Sequence, residues 1–188
     1  MPKTGYHHGA LRSAVLSAAA DQIAAGGVDS VSLRGLARRA GVSHAAPAHH
    51  FGDRHGLLTA LAAEGFGLLA DELGQAGPEF RGVGVAYVRF AVRHPGHFAV
   101  MFRGDVLHHD DPDLKAAQAR TRDILRRGIA SISAERRGRR PKDAQLAAWS
   151  LVHGFASLWL GGALAGSELA GDDTPEAITG RLASVLFG

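Results

Sequence analysis

The chain contains no cysteine among its 188 residues. Disulfides, thiolate metal sites and a cysteine nucleophile are therefore excluded. Aromatic residues make up only 6% of the chain, while glycine is plentiful with 25 residues, a composition that suits closely packed helices better than a sheet. No apolar run is long enough for a transmembrane helix, and the first residues lack the apolar core of a signal peptide. We therefore expect a soluble, cytoplasmic protein without a membrane span.

Positive charge is concentrated at the N-terminal end of the sequence. The first 60 residues hold six Lys and Arg against three Asp, which accounts for the whole net charge of +3. Six of the eleven histidines also lie in this segment. A basic end on a neutral remainder is typical of a protein that binds nucleic acid, although a solvated surface can have the same composition.

Apolar residues recur at helical spacing along almost the whole chain. Glycines and prolines stand where helices would end or begin, and no segment has the alternation of a strand. The pattern predicts an all-α protein of about nine helices, with a polar loop at 104–111. The predicted helices cover residues 8–25, 33–40, 44–50, 54–75, 80–93, 95–102, 112–133, 143–165 and 175–187.

Residues 32–51 have the pattern of a helix-turn-helix. Ser32 and Ser43 are placed to cap two short helices, and Gly41 permits the tight turn between them. In this motif the second helix enters the major groove of DNA and presents its first residues to the bases. A helical hairpin without a DNA role is the alternative. The residues predicted to contact DNA are Arg34, Ser43, His44, Ala45, Ala46, Ala48, His49 and Arg54.

The segment Ser-Leu-Arg-Gly-Leu-Ala-Arg-Arg-Ala-Gly-Val-Ser at 32–43, with His-His-Phe at 49–51 and Leu-Leu at 57–58, resembles the DNA-binding domain of TetR-type transcriptional regulators. Trp149 and the His153–Gly154 pair resemble the signature of one branch of that family. The resemblance implies a DNA-binding domain at 1–65 and an effector-binding and dimerisation domain at 66–188. It also implies a homodimer that a small molecule releases from its operator.

Most of the large apolar side chains beyond the N-terminal third lie in residues 80–165. A pocket between helices would hold a small molecule among such side chains and a few polar groups. The same residues could simply form a core, because an apolar stripe at helical spacing is usually buried. The residues predicted to bind the effector are Tyr87, Phe90, His97, Phe98, Met101, Phe102, Trp149 and His153.

The predicted helix at 143–165 is apolar almost all round. Together with the last helix, at 175–187, it would leave apolar surface without cover, and such surface usually marks an interface. We therefore predict a homodimer through these two segments. The resemblance implies a four-helix interface across a two-fold axis, with one recognition helix on each operator half-site.

The sequence thus predicts a sequence-specific, DNA-binding transcriptional regulator. The resemblance implies that it is a repressor that binds operator DNA and is released by a small-molecule effector. No nucleophile–base pair or phosphate loop indicates an enzyme, and no cofactor is implied. An activator, a metal-responsive regulator and a helical small-molecule or metal-binding protein without a DNA role remain alternatives. The basic run at 136–142 is either a solvated loop or a second nucleic-acid contact. Zinc or nickel would suit His94, His97, His108 and His109, but a structural zinc site needs four ligands at fixed spacing, and that pattern is missing.

Overall fold

The computed structural model describes residues 5–39, 41–43, 45–133 and 140–187. Within these ranges the chain forms nine α-helices and no strand, which confirms the all-α prediction. Two short 3₁₀ turns lie at Val28–Ser30 and Gly104–Val106. The helices are α1 (Gly5–Gly26), α2 (Leu33–Arg39), α3 (Ala45–Phe51), α4 (Arg54–Gln75), α5 (Phe80–Arg93), α6 (Pro95–Met101), α7 (Pro112–Ser133), α8 (Pro141–Leu160) and α9 (Pro175–Phe187).

The helix boundaries follow mainly from local sequence. Each of the last four helices begins at a proline, whose missing N–H group costs little in the first turn of a helix. The predicted end of α8 at residue 165 is wrong, because the helix stops at Leu160. Gly162 takes a left-handed conformation with φ +72°, and the Ala163 N–H donates to the Leu158 carbonyl at 3.0 Å. Two consecutive glycines thus end a helix that the apolar pattern extends.

One compact unit of the chain comprises the residues up to Phe66 together with His94–Ala117. It contains α1–α3, the first half of α4, α6 and the beginning of α7. Helices α1 and α6 approach so closely that a Cβ atom on Gly96 would overlap the carbonyl oxygen of Ala20. The core of this unit is apolar and includes Val15, Leu16, Leu36, Leu57 and Leu61.

The second compact unit comprises Gly67–Arg93 and the residues from Gln118 onward. Helix α5 packs against α8 and α9, and its side chains Tyr87 and Phe90 are fully buried. Residues 94–117 therefore pack with the N-terminal helices, although the sequence groups them with the effector domain. The functional boundary at residue 65 stays a prediction. Among the described helices, none has both the length and the hydropathy that crossing a membrane requires.

Candidate functional site

The α2–turn–α3 segment is held together by a few specific contacts. The Ser32 hydroxyl accepts a hydrogen bond from the Gly35 N–H at 3.2 Å, which confirms that Ser32 caps α2. Gly41 has φ +67°, a conformation that other residues rarely adopt, and the Val42 N–H closes the turn by donating to the Ala37 carbonyl at 3.0 Å. On α3, Pro47 and Phe51 are buried. These contacts fix which side of α3 faces solvent.

The exposed side of α3 carries Ala45, Ala48 and His49. Their spacing places them on one face of the helix, and their small or polar side chains allow close approach to a groove edge. Of the other predicted DNA contacts, Ser43 and Arg34 are exposed, whereas Ala46 is half-buried. His44 lies outside the described residues. Contact of these residues with DNA stays a prediction.

The structure gives Arg54 a different role from the predicted phosphate contact. Its Nε donates to the Val31 carbonyl at 3.1 Å, and its Nη2 donates to the Val28 carbonyl at 2.9 Å. Nη2 also lies 3.3 Å from a carboxylate oxygen of Asp29. The guanidinium therefore ties the start of α4 to the 3₁₀ turn before α2. The phosphate contact of Arg54 stays a prediction, since only its Nε and Nη2 are engaged in these contacts.

The N-terminus of α4, directly after α3, is capped by Asp53 and braced by Thr59 and His108, two residues that sequence reasoning missed. Asp53 accepts the Gly56 N–H at 2.7 Å, and this hydrogen bond, with smaller contributions from His108 and His55, lowers the pKa of its carboxyl group. The His108 N–H donates to the Thr59 hydroxyl at 2.9 Å, and its Nε2 lies 3.5 Å from Asp53 Oδ1. The loop before α7 is therefore fastened to the first turns of α4. The sequence offers one signal for the Thr59–His108 contact, the polar Thr59 among the apolar residues of α4.

The residues predicted to bind an effector fall into two groups. In the first unit, His97 is nearly buried and its Nε2 lies 3.0 Å from Glu64 Oε2. Phe98 and Met101 are buried beside it on α6, while Phe102 at the end of that helix is 36% exposed. A histidine paired with a carboxylate in this setting serves as a link between α6 and α4.

The second group joins α5 to α8. The Tyr87 hydroxyl lies 2.9 Å from His153 Nδ1, and the Trp149 indole N–H donates to the same hydroxyl at 3.4 Å. Burial raises the pKa of Tyr87 and lowers the pKa of His153, so both side chains are neutral at pH 7. This arrangement fits a hydroxyl that accepts from the indole and donates to Nδ1. The fourth member of the group, Phe90, is fully buried.

The histidines predicted as possible metal ligands do not gather into one site in the described part of the chain. The rings of His94 and His97 are 5.7 Å apart, and His109 Nε2 donates to the Gly104 carbonyl at 2.8 Å. Across the described ranges, no three His, Asp or Glu side chains come together as a group that could hold a metal ion. In the basic run, residues 134–139 lie outside the described residues, and Arg140 and Lys142 are exposed.

Two family models match the chain. One, described as bacterial regulatory proteins of the tetR family, matches residues 15–61. The other, described as a tetracyclin repressor-like C-terminal domain, matches residues 80–182. Among curated proteins, none matches significantly.

Several solved structures are similar to the chain over almost its whole length. A protein with unknown function from Rhodococcus sp. RHA1 is 33% identical with a TM-score of 0.74, over 98% of this chain and 97% of that one. The TetR family transcriptional regulator PfmR from Thermus thermophilus is 21% identical with a TM-score of 0.67, over 92% and 93%. AibR, solved with isovaleryl coenzyme A and operator DNA, is 20% identical with a TM-score of 0.65, over 94% and 98%. The last two share the fold.

The C-terminal model alone covers more than half of the chain, and the N-terminal model covers the helix-turn-helix whose geometry is described above. The protein is therefore a member of the TetR family of bacterial transcriptional regulators.

Proposed function

We propose that the protein is a homodimeric repressor that binds operator DNA through α3 and releases it when a small-molecule effector binds. We further propose that it works in the cytoplasm and catalyses no reaction. AibR, which shares the fold, was solved with isovaleryl coenzyme A and operator DNA. This supports the proposal that the present protein also binds both a small molecule and operator DNA.

The observation that carries the proposal is the division of α3 into two sides. Pro47 and Phe51 anchor one side, while Ala45, Ala48 and His49 are exposed on the other. The surroundings are basic, because α2 presents exposed Arg34, Arg38 and Arg39. Small side chains on the exposed face and cations beside it suit a helix that lies in a major groove between two phosphate backbones.

Helix α4 is the proposed route from effector to DNA. Only Gly52 and Asp53 separate it from α3, and its residues belong to both compact units. A displacement of α4 would therefore carry α3 with it. An effector that binds more tightly when α4 is displaced would shift the protein from its DNA-binding state to its released state. The coupling free energy between two such sites is commonly about 1–3 kcal/mol.

The effector site is proposed among the two groups of predicted residues. In the second unit the neutral Tyr87–His153 pair offers a hydrogen-bonding group, and the buried Phe90 follows Tyr87 by three residues on α5. Such a combination suits a mostly apolar ligand with one polar end. In the first unit, His97 and Phe98 are candidates because they lie on α6 against α4.

The first test is binding to the intergenic DNA beside the protein's own gene, at two salt concentrations, with a scrambled duplex of equal length. A repressor binds the native fragment preferentially, and its footprint shows two half-sites about one helical turn apart. Equal and steeply salt-dependent binding to both duplexes would show only a basic surface. The absence of binding to either at low salt would contradict the proposal.

A matched pair of variants locates the DNA contact. Ala48→Glu places a negative charge on the exposed side of α3, and Ala99→Glu places the same charge at an exposed position of α6. We expect A48E to weaken operator binding by roughly 100-fold or more, because it opposes phosphate and a base edge at close range. A99E should stay within about threefold of the unchanged protein. Equal losses in the two variants would remove α3 from the interface.

A further inference from the structure

Two histidine side chains from distant parts of the sequence meet at the start of α4. The rings of His55 and His108 lie 5.8 Å apart in an edge-to-face arrangement, and His108 Nε2 is 3.5 Å from a carboxylate oxygen of Asp53. We call these three exposed residues the α4 histidine cluster. The cluster is not arranged to hold a metal ion. Because an imidazole gains or loses its proton between about pH 5 and 8, the charge of the cluster changes in that range.

One buried hydroxyl fixes the backbone of both histidines. Thr59 is 2% exposed, and its hydroxyl donates to the His55 carbonyl at 2.7 Å while it accepts the His108 N–H at 2.9 Å. The two rings are therefore brought together by the packing of the loop before α7 on α4. A contact whose members are already in place loses little freedom when a proton strengthens it.

The cluster lies directly beside the end of α3. A Cβ atom on Gly56 would overlap the carbonyl oxygen of Phe51, so the last residue of α3 rests on the first turn of α4. Contacts that hold this turn therefore also hold α3. Asp53 follows the exposed His49 of α3 by four residues, and over the partly helical stretch between them this is a separation of about 10 Å, over which charges still act on each other at ordinary salt concentrations.

The neighbouring segments bring further charged and titratable groups, most of them with partners of their own. Asp53 itself interacts electrostatically with His108 and His55, and its hydrogen bond from the Gly56 N–H lowers its pKa, so it stays a carboxylate at neutral pH. The adjoining ion pairs are Arg54–Asp29, Arg103–Asp105 and Lys115–Asp110. On the loop, His109 Nε2 donates to the Gly104 carbonyl, and the Asp111 carboxylate accepts the Leu114 N–H. Helix α3 contributes His49 and His50, whose rings are 5.9 Å apart.

We propose that the α4 histidine cluster is a proton-responsive contact that tightens operator binding as the pH falls, with His108 as its positioning residue. When both imidazoles are neutral, the cluster carries the negative charge of Asp53 close to the phosphates that α3 would approach. A proton on His108 turns its contact with Asp53 into an ion pair and fastens the loop more firmly to α4. A second proton, on His55, makes the cluster positive. The inference rests on the operator binding of the proposed function and makes the proton a second ligand of that site.

The first experiment measures binding of the fluorescently labelled intergenic fragment at pH 8 and pH 6 at constant salt. We expect the unchanged protein to bind about fivefold more tightly at pH 6, because the cluster then attracts phosphate. The double variant His55→Gln/His108→Gln keeps polar side chains that take up no proton, so its affinity should change less than about twofold. His109→Gln is the matched control, since this exposed histidine of the same loop lies outside the cluster. It should keep the full gain.

A change of charge at Asp53 separates this role from a purely structural one. Asp53→Asn keeps a side-chain oxygen that can cap α4 but removes the negative charge. D53N should bind the operator more tightly than the unchanged protein at pH 8, and it should gain less on acidification. If Asp53 acted only as a cap, D53N would bind no more tightly at pH 8 and would gain as much as the unchanged protein.

Calorimetry of operator binding in two buffers of different ionisation enthalpy counts the protons directly. The unchanged protein and H109Q should take up protons at pH 7 when the operator binds, and H55Q/H108Q should take up far fewer. This count stays decisive if the substitutions also change the affinity through stability, because a structural effect moves no proton.

Specific operator binding that is equally tight at both pH values would overturn the inference while leaving the proposed repressor intact. A gain that persists in H55Q/H108Q and disappears in His49→Gln would assign the proton to α3 and overturn it as well. A gain lost to the same extent in H109Q would show that the cluster has no special part in it. Failure to bind the intergenic fragment specifically at either pH would instead contradict the operator binding of the proposed function.

Discussion

Helices α3 and α8 expose opposite kinds of surface. α3 has seven residues, of which Pro47 and Phe51 are buried, and it presents small and polar side chains to solvent next to the arginines of α2. α8 has twenty residues, carries no charge beyond its first turn and exposes Leu146, Trp149 and Leu158. The charged surroundings of α3 suit a polyanion, whereas the neutral face of α8 suits a protein surface like itself.

The two helices also differ in how they are held. α3 is held by its two buried side chains, Pro47 and Phe51, which form its buried edge, and by the residues that brace the start of α4. α8 packs along its length against α5 and α9 and buries Ala148, Val152, Phe155 and Ala156. A single substitution should therefore disturb α3 more easily than α8.

The largest expected effect concerns the buried edge of α3. Phe51 is 9% exposed, and the guanidinium carbon of Arg12 on α1 lies 5.8 Å from the centre of its ring. Phe51→Ala should lower the free energy of unfolding by about 3–5 kcal/mol, the usual cost of deleting a buried phenylalanine. Urea unfolding followed by circular dichroism measures this loss, and operator binding should disappear with it.

Phe51→Leu is the matched control, because it keeps an apolar side chain in place while removing the ring beneath Arg12. Its cost should stay below about 1.5 kcal/mol, as is usual for swaps of similar volume. If F51A cost no more than F51L, α3 would not depend on this edge. In that case α3 would not be more easily disturbed than α8 by the loss of one buried side chain.

The next effect separates the structural role of Arg54 from the predicted phosphate contact. Arg54→Ala removes donors to the Val28 and Val31 carbonyls and should cost about 1–3 kcal/mol of stability, because these hydrogen bonds come from a charged group. Arg54→Lys keeps the charge but cannot span both acceptors, so it should recover little of that stability. Urea unfolding of the three proteins measures the difference.

DNA binding by the same three proteins completes the test. A residue that braces α4 should leave the salt dependence of operator binding unchanged in R54A. A phosphate contact would instead reduce the slope of log K against log salt by about one, and R54K would restore it. That second pattern would return Arg54 to the DNA-binding surface.

Local signals in the sequence explain why much of the fold was predictable. The prolines at the starts of α6, α7 and α9, the glycine turn at Gly41 and the cap at Ser32 each act within a few residues, so their effect can be predicted without the rest of the chain. The apolar pattern continues past Leu160 and predicts a longer α8, whereas the glycine pair at 161–162, also a local signal, ends the helix.

The features that could not be predicted depend on contacts between residues far apart in sequence. The carbonyls that engage Arg54 lie more than twenty residues before it, and the Thr59–His108 hydrogen bond spans 49 residues. Nothing in the sequence near these residues says that those groups meet. Likewise, only the packing of α5 on α8 shows that Tyr87 and His153 are partners and that Trp149 faces outward.

The smallest expected effect is a pH dependence on α8. Burial lowers the pKa of His153 below its ordinary value of 6.5, so the unfolded chain binds a proton more readily than the folded one. The stability that neutral His153 provides is therefore complete above pH 6.5 and is lost as the pH falls through the lowered pKa. His153→Gln removes this titration while keeping a group that can accept from Tyr87. The stability difference between the unchanged protein and H153Q, measured by urea unfolding at one protein concentration, should shrink from pH 7.5 to pH 5. Parallel curves would mean that burial on α8 does not keep the imidazole of His153 neutral.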